Sequence, residues 1–263
     1  MKPGILSFLA LTQAGLLWAR VASAEPVVVR HPEGAVHGFL SLSSPDGSLL
    51  ADGDLIQNAD GDRVTARLVF HFKDGSLQDE TFVYSQHGHF QLISDHLVQK
   101  GPAFERPLDM MIDVASGHVT VRYKDDDGKE KVEDEHMDLP ADVANGLIIT
   151  LLKNVRQDAL PSGVSFVAAT PKPRLVKIRI SVAGTDPFSI AGSARKATHY
   201  VLKVDIGGIA GWIAPLIGKQ PPDSHVWILE GEAPAFVRSQ APMSTGGPLW
   251  QTDLVSPVWP RGK

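Results

Sequence analysis

The sequence contains no cysteine. That excludes a disulfide framework, a cysteine-ligated zinc site, a thiolate nucleophile and a lipidated cysteine at an export cleavage site. Aromatic residues are sparse, at 7% of the chain, and no Lys/Arg-rich run occurs. With 25 basic against 30 acidic residues the formal charge is −5. An acidic chain without a basic cluster is a poor match for nucleic acid, whose phosphates call for concentrated positive charge. Beyond residue 24 no apolar run approaches the roughly 20 residues that a membrane-spanning helix needs.

The first 24 residues stand apart from the rest. Lys2 supplies a positive start, Ile5 to Trp18 form a short apolar stretch, and Ala22-Ser23-Ala24 fits the small-x-small pattern of signal-peptide cleavage, with Glu25-Pro26 after it. The pattern predicts a signal peptide over 1–24 and a single β-rich domain over 25–263. Its location is then periplasmic or extracellular, with no transmembrane span after cleavage. A chain of this size removes roughly 70–75% of its unfolded surface from water, so its core needs no covalent staples.

Strand-type residues bounded by turn pairs dominate the remainder of the chain. Asp-Gly recurs at Asp46-Gly47, Asp52-Gly53, Asp60-Gly61, Asp74-Gly75 and Asp127-Gly128, a pair favoured in two-residue hairpin turns because both central positions need positive φ. Arg63 to Phe72 and Leu77 to Tyr84 read as one hairpin, His118 to Lys124 and Lys129 to Asp138 as another. The acidic Asp125-Asp126-Asp127 turn matches no twelve-residue calcium loop ending in Glu, so a plain turn is the reading. Glu133-Asp134-Glu135 reads as a solvated sheet edge. Later strands are expected over Val164–Ala168, Leu175–Val182, Phe188–Ala191, His199–Ile206, His225–Glu230, Ala235–Ser239 and Leu249–Val255.

One segment breaks this rhythm. In VANGLIITLLKNVRQ the residues Val143, Ala144, Leu147, Ile148, Leu151, Leu152 and Val155 recur at helical spacing. Pro140 suits a helix start, Asp142 the positive end of the helix dipole, and Lys153 and Arg156 the other end. The wide apolar face calls for a concave seat, and Asn145-Gly146 for a close backbone approach.

Three features could carry chemistry. In FVYSQHGHFQLISDHLVQKGP, His87 and His89 would share one face of an extended strand about 6.5–7 Å apart and could ligate zinc with a third residue. Gly88 equally suits a turn, which is the plainer reading, and no metal site or cofactor is assigned. Nucleophilic catalysis lacks a motif: Gly163-Val164-Ser165-Phe166-Val167 has no second glycine, and Asp95 and His96, adjacent on a strand, face opposite ways. The segment GGIAGWIAPLIGKQPPD is uncharged from Ile206 to Gly218. It is either a buried core helix or a short apolar lid over a cavity or membrane interface.

The stretches FVYSQHGHFQLISDHLVQKGP, PLDMMIDVASGHVTVRYKDDDGKEKVEDEHMDLPADVANGLIITLLKNV and HVWILEGEAPAFVRSQAPMSTGGPLW together resemble secreted bacterial proteins with the open β-half-barrel of the lipoprotein-carrier type. The resemblance implies a mainly β fold: a curved antiparallel half-barrel or open barrel whose concave side holds one central helix and can accept acyl chains. The expected function is an exported envelope protein binding a hydrophobic or lipid-like ligand. Its site would use Ile209, Trp212, Ile213, Leu216 and Ile217 at the mouth and Leu147 and Leu151 on the helix. Alternatives are a structural or partner-binding envelope module and a metal-assisted hydrolase using His87 and His89. The reading leans away from an enzyme.

Overall fold

The computed structural model describes residues 26–190, 192–205 and 221–256. The first eight strands are β1 (Val36–Ser43), β2 (Leu49–Asp60), β3 (Arg63–Phe72), β4 (Leu77–Ser85), β5 (Gln91–Lys100), β6 (Leu108–Asp113), β7 (His118–Lys124) and β8 (Glu130–His136). A 3-10 turn (Asn145–Leu147) runs into α1 (Ile148–Asn154), the single α-helix among the described residues. Then come β9 (Val164–Ala168), β10 (Arg174–Ile190), β11 (Ser193–Asp205), β12 (Ser224–Leu229), β13 (Ala235–Pro242) and β14 (Leu249–Val255).

All fourteen strands join one antiparallel sheet in the order β8-β7-β6-β5-β4-β3-β2-β1-β14-β13-β12-β11-β10-β9. The first strand pairs with the last through Phe39↔Val255 to Ser43↔Gln251. Each half is otherwise a meander, so β8 and β9 are left as edges and the sheet stays open. Alternation sets the curvature: on β3, Val64, Ala66, Phe70 and Phe72 are buried, while Arg63, Thr65, Arg67 and His71 are exposed. One face of a period-2 strand thus lines the concave side and the other meets water.

Four of the five Asp-Gly pairs make turns, with Gly47, Gly61, Gly75 and Gly128 at positive φ. Asp52-Gly53 does not: it lies inside β2. There the ring of Phe70 comes within 2.5 Å of where a Gly53 Cβ would sit, so glycine serves close packing rather than a turn. A second correction concerns β10, which is one strand through both runs expected as two, bent by a bulge between Val182 and Gly184. The helix is also shorter than its periodicity predicts. Asp142 is drawn instead to Ser165 of β9 and Lys177 of β10, and the chain before Asn145 makes a turn and an isolated bridge from Val143 to Ser165 rather than helix.

The concave side holds three apolar clusters. The largest gathers Val64, Phe82, Tyr84, Phe90, Leu147, Leu151, Leu152, Tyr200 and Ile228 around the helix. The helix therefore fills the concavity it was expected to need. A second cluster sets Met110, Ile112, Val119 and Val121 of β6 and β7 against Val167 of β9, across the open seam. The third packs Leu40, Leu42, Phe70, Phe72 and Phe104 at the other end. Among the described residues no helix is long and apolar enough to cross a membrane.

The two edges are treated differently. Asn145 spans the outer edge of β9, its Nδ2 donating to the Val167 carbonyl and its Oδ1 accepting from the Val167 N–H, each at 3.0 Å. Ala144 and Asp142 exchange backbone hydrogen bonds with Ser165 of the same strand. The edge of β8 has no such cover among the described residues. It carries Glu130, Lys131, Glu133, Asp134 and Glu135, almost all exposed, and charge on an edge strand discourages indiscriminate pairing.

Candidate functional site: the helix seat and the groove at its C-terminal end

The helix is pinned at several points. At its start, Lys177 donates to Asp142 Oδ2 at 2.8 Å and to Ser165 Oγ at 2.7 Å, while Ser165 Oγ donates to Asp142 Oδ1 at 2.8 Å. Ser165 and Asp142 are buried. The buried Ser165 hydroxyl is held between Asp142 and the partly exposed Lys177, which suits a clasp and denies a substrate access to the hydroxyl.

Beneath the 3-10 turn lies an acid pair. Gly146 N–H donates to Asp95 Oδ2 at 2.9 Å, and the other Asp95 oxygen, Oδ1, is buried without a hydrogen-bond partner. Glu80, on the neighbouring strand, approaches the same carboxylate. Burial pushes the Asp95 carboxyl up to about 6, against a smaller lowering by the Gly146 hydrogen bond. Burial first and then the adjacent Asp95 push Glu80 well above the ordinary carboxyl range. Two carboxyls this close and this buried disfavour double ionisation, so both are held toward the protonated form. His96, next in sequence, points out of the barrel and meets Asp109 at 3.0 Å, so Asp95 and His96 do face opposite ways.

At its end the helix meets the start of the described chain. Asn154 Oδ1 accepts from the backbone N–H groups of Arg30 and His31, at 2.9 and 2.7 Å. Lys153 pairs with Glu33, both largely buried. Val29 N–H donates to the Gly88 carbonyl and Phe90 N–H to the Val27 carbonyl. Residues 27–33 thus form a strap over one end of the barrel.

Beside this strap a groove of about 350 Å3 opens between the end of α1 and strands β11 and β12. Leu152, Val155, Tyr200 and Ile228 form its apolar floor. Arg30, Arg156, Gln157, Thr198 and Glu230 supply its polar rim. Gln157 Nε2 donates to Thr198 Oγ1 at 2.8 Å and to Glu230 Oε1 at 2.6 Å, and Thr198 donates to the same Glu230 oxygen.

The structure separates the residues singled out from sequence. Leu147 and Leu151 are 1% and 4% exposed and belong to the main core. The crevice they border has about 10 Å3, room for about one water molecule. Ile209, Trp212, Ile213, Leu216 and Ile217 lie outside the described residues. His87, Gly88 and His89 form an exposed turn, with Gly88 at φ 71°. His87 Nδ1 meets Asp62 at 2.6 Å, and no group of three or more potential metal ligands exists among the described residues. Sequence reasoning missed the groove, because its rim comes from four segments distant in sequence. It also missed the Glu80–Asp95 pair, although two carboxylates at inward positions of paired strands were a readable signal.

No family model matches the chain, and no curated protein matches it. Among solved structures, the chain is similar to a β-barrel-like protein of a domain of unknown function, DUF1849, from Brucella abortus. Identity is 10%, the match covers 88% of this chain and 97% of that one, and the TM-score is 0.47. No residue role passes from one protein to the other at that likeness.

Proposed function

We propose that the protein is exported and serves as a binding module of the envelope, taking one amphiphilic, lipid-like molecule in the groove beside the C-terminal end of α1. The observation that carries this reading is the groove itself, an apolar floor of Leu152, Val155 and Ile228 under a polar and charged rim. Its volume falls at the lower end of the roughly 300–1,000 Å3 of small-molecule sites. An amphiphile would lay its apolar part on the floor and turn its head group to Arg30, Gln157 and Glu230. The leader-like residues 1–24 support export, and the helix-filled half-barrel supports a shallow site at the end rather than a deep acyl tunnel.

Titration of the purified protein with dodecanoate, followed by calorimetry and native mass spectrometry, tests it. One molecule should bind per chain. Gln157→Trp, at an exposed position on the rim, should abolish binding without loss of the β-sheet circular-dichroism signal. Absence of binding, or binding indifferent to Gln157→Trp, would remove the groove from the mechanism.

The uncovered β8 edge favours a second reading, in which an extended basic segment of another protein adds a strand there. Hydrogen exchange over Glu130–His136, measured with and without envelope extract, separates the two. Protection on addition supports pairing, and unchanged exchange removes it.

A further inference from the structure

On the outer face of the sheet, across β11 from the groove, two imidazoles converge. His199 Nε2 lies 2.9 Å from His225 Nδ1. His199 pairs across the ladder with Trp227, and its neighbour two residues on, Val201, pairs with His225, so the two histidines are diagonal on one face. Trp227 Nε1 donates to Asp186 Oδ2 at 2.7 Å, and His199 Nδ1 stands 3.4 Å from that same oxygen. The His199 ring is stacked on Trp227 at 4.3 Å between centroids and 17° between planes.

With the His199 Nδ1–H turned to Asp186, His199 Nε2 accepts from His225 Nδ1–H, so a bound ion takes the place of that proton, which passes to His225 Nε2. Asp186, on the Nδ1 side of His199, directs the Nε2 lone pair toward His225, the role that outer carboxylates play for metal-ligating histidines. Two imidazole nitrogens bound at about 2.0–2.1 Å to one tetrahedral ion stand about 3.3 Å apart. A tetragonal Cu(II) ion holds cis nitrogens about 2.9 Å apart, the spacing observed, and a tetrahedral Zn(II) ion needs it to open by a few tenths of an ångström, with both rings turning toward the ion. His199 is partly open, with 19% of its side chain exposed, so solvent reaches the pair.

We propose that His199 and His225 form a capture site for a divalent transition metal, with water completing the shell. Among the described residues no third histidine or carboxylate joins them, so the ion is exchangeable rather than structural. Imidazole ligands and the general affinity order place Cu(II) first and Zn(II) behind it. The other facing pair, His118 and His136, has ring centroids 5.4 Å apart and no nitrogen–nitrogen contact, and serves as the internal control.

The test uses the full-length mature protein and Cu(II) alone. Calorimetry should show one saturable equivalent, the electron-paramagnetic signal should report two nitrogen donors, and Trp227 fluorescence should be quenched. H199Q and H225Q should each weaken binding at least tenfold, and D186N about 10–100-fold, as loss of an outer-shell partner does. H118Q should bind as the parent does. Circular dichroism confirms folding, and D186N, which leaves both imidazoles in place, keeps the test open should a histidine variant unfold. No saturable equivalent in the parent protein, or binding that survives both H199Q and H225Q, overturns the proposal.

Discussion

Gly146 and Asp95, 51 residues apart, meet through a 2.9 Å hydrogen bond from the Gly146 backbone N–H to the Asp95 carboxylate that seats the 3-10 turn on β5. A Cβ on Gly146 would stand 2.5 Å from the Phe82 ring and 3.0 Å from Asp95 Oδ2. In an exposed helix interior, glycine to alanine gains about 0.8–1.0 kcal/mol of propensity. Here packing wins. Gly146→Ala should destabilise the protein by about 1–3 kcal/mol, the usual effect of overpacking, and urea unfolding measures it. A variant more stable than the parent would show that the seat yields.

The acid pair makes stability depend on pH. Both folded carboxyls are pushed above their unfolded values by burial, Asp95 to about 6 and Glu80 well above the ordinary carboxyl range. The folded state therefore holds more protons, and the pair's contribution is fully present below the unfolded values near pH 4 and lost as pH rises through 6. The charged neighbour is His96, whose positive form favours ionised Asp95 and works against the shift. In Asp95→Asn the fall in denaturation midpoint between pH 5 and 8 should flatten. An unchanged slope would place the proton elsewhere.

Asn154 holds the strap by accepting from two backbone N–H groups at once. Asn154→Ala leaves both donors without that acceptor, at about 1–3 kcal/mol for each if it stays buried. Trypsin should then cut after Arg30 much faster than in the parent, while cleavage after Arg63 and Arg67 within β3 stays slow. Equal cutting in both proteins would mean that the strap is held by its bonds to Gly88 and Phe90.

Protein recovered from an envelope fraction should begin at Glu25 on N-terminal sequencing. A product that begins at Met1 and pellets with membranes would end the export reading.

His87 and His89 sit on an exposed turn, and surface changes away from packing or buried bonds are usually within about 0.5 kcal/mol. The double substitution to alanine should shift the denaturation midpoint little, and a chelator should leave it unchanged. A stoichiometric metal lost with both histidines would instead return the hydrolase reading.

Much of the strand pattern was legible, because burial of one face imposes alternation on the sequence itself. Arg63–Phe72, His118–Lys124, Val164–Ala168 and Leu249–Val255 are strands with the bounds their residues predict. The central helix was legible from its 3.6-residue spacing, and Asn145-Gly146 from the close approach they permit. The bounds failed where a distant partner decided. Asp142 reads locally as a favourable helix start, but Lys177 and Ser165 offer it a buried ion pair and a hydrogen bond. Asp52-Gly53 reads locally as a turn, but the Phe70 ring needs the space.

The sequence by itself determined the class of fold: alternation, turn pairs and one helical period give a long antiparallel meander with one central helix. Tertiary structure alone decided that β1 closes on β14, that Asp142 leaves the helix for Lys177 and Ser165, and that Arg30, Gln157, Thr198 and Glu230 share a rim. The physical reason is range. Periodicity and turn chemistry act within a few residues, whereas strand order and convergent side chains depend on contacts between residues tens to more than a hundred positions apart, which no local pattern records.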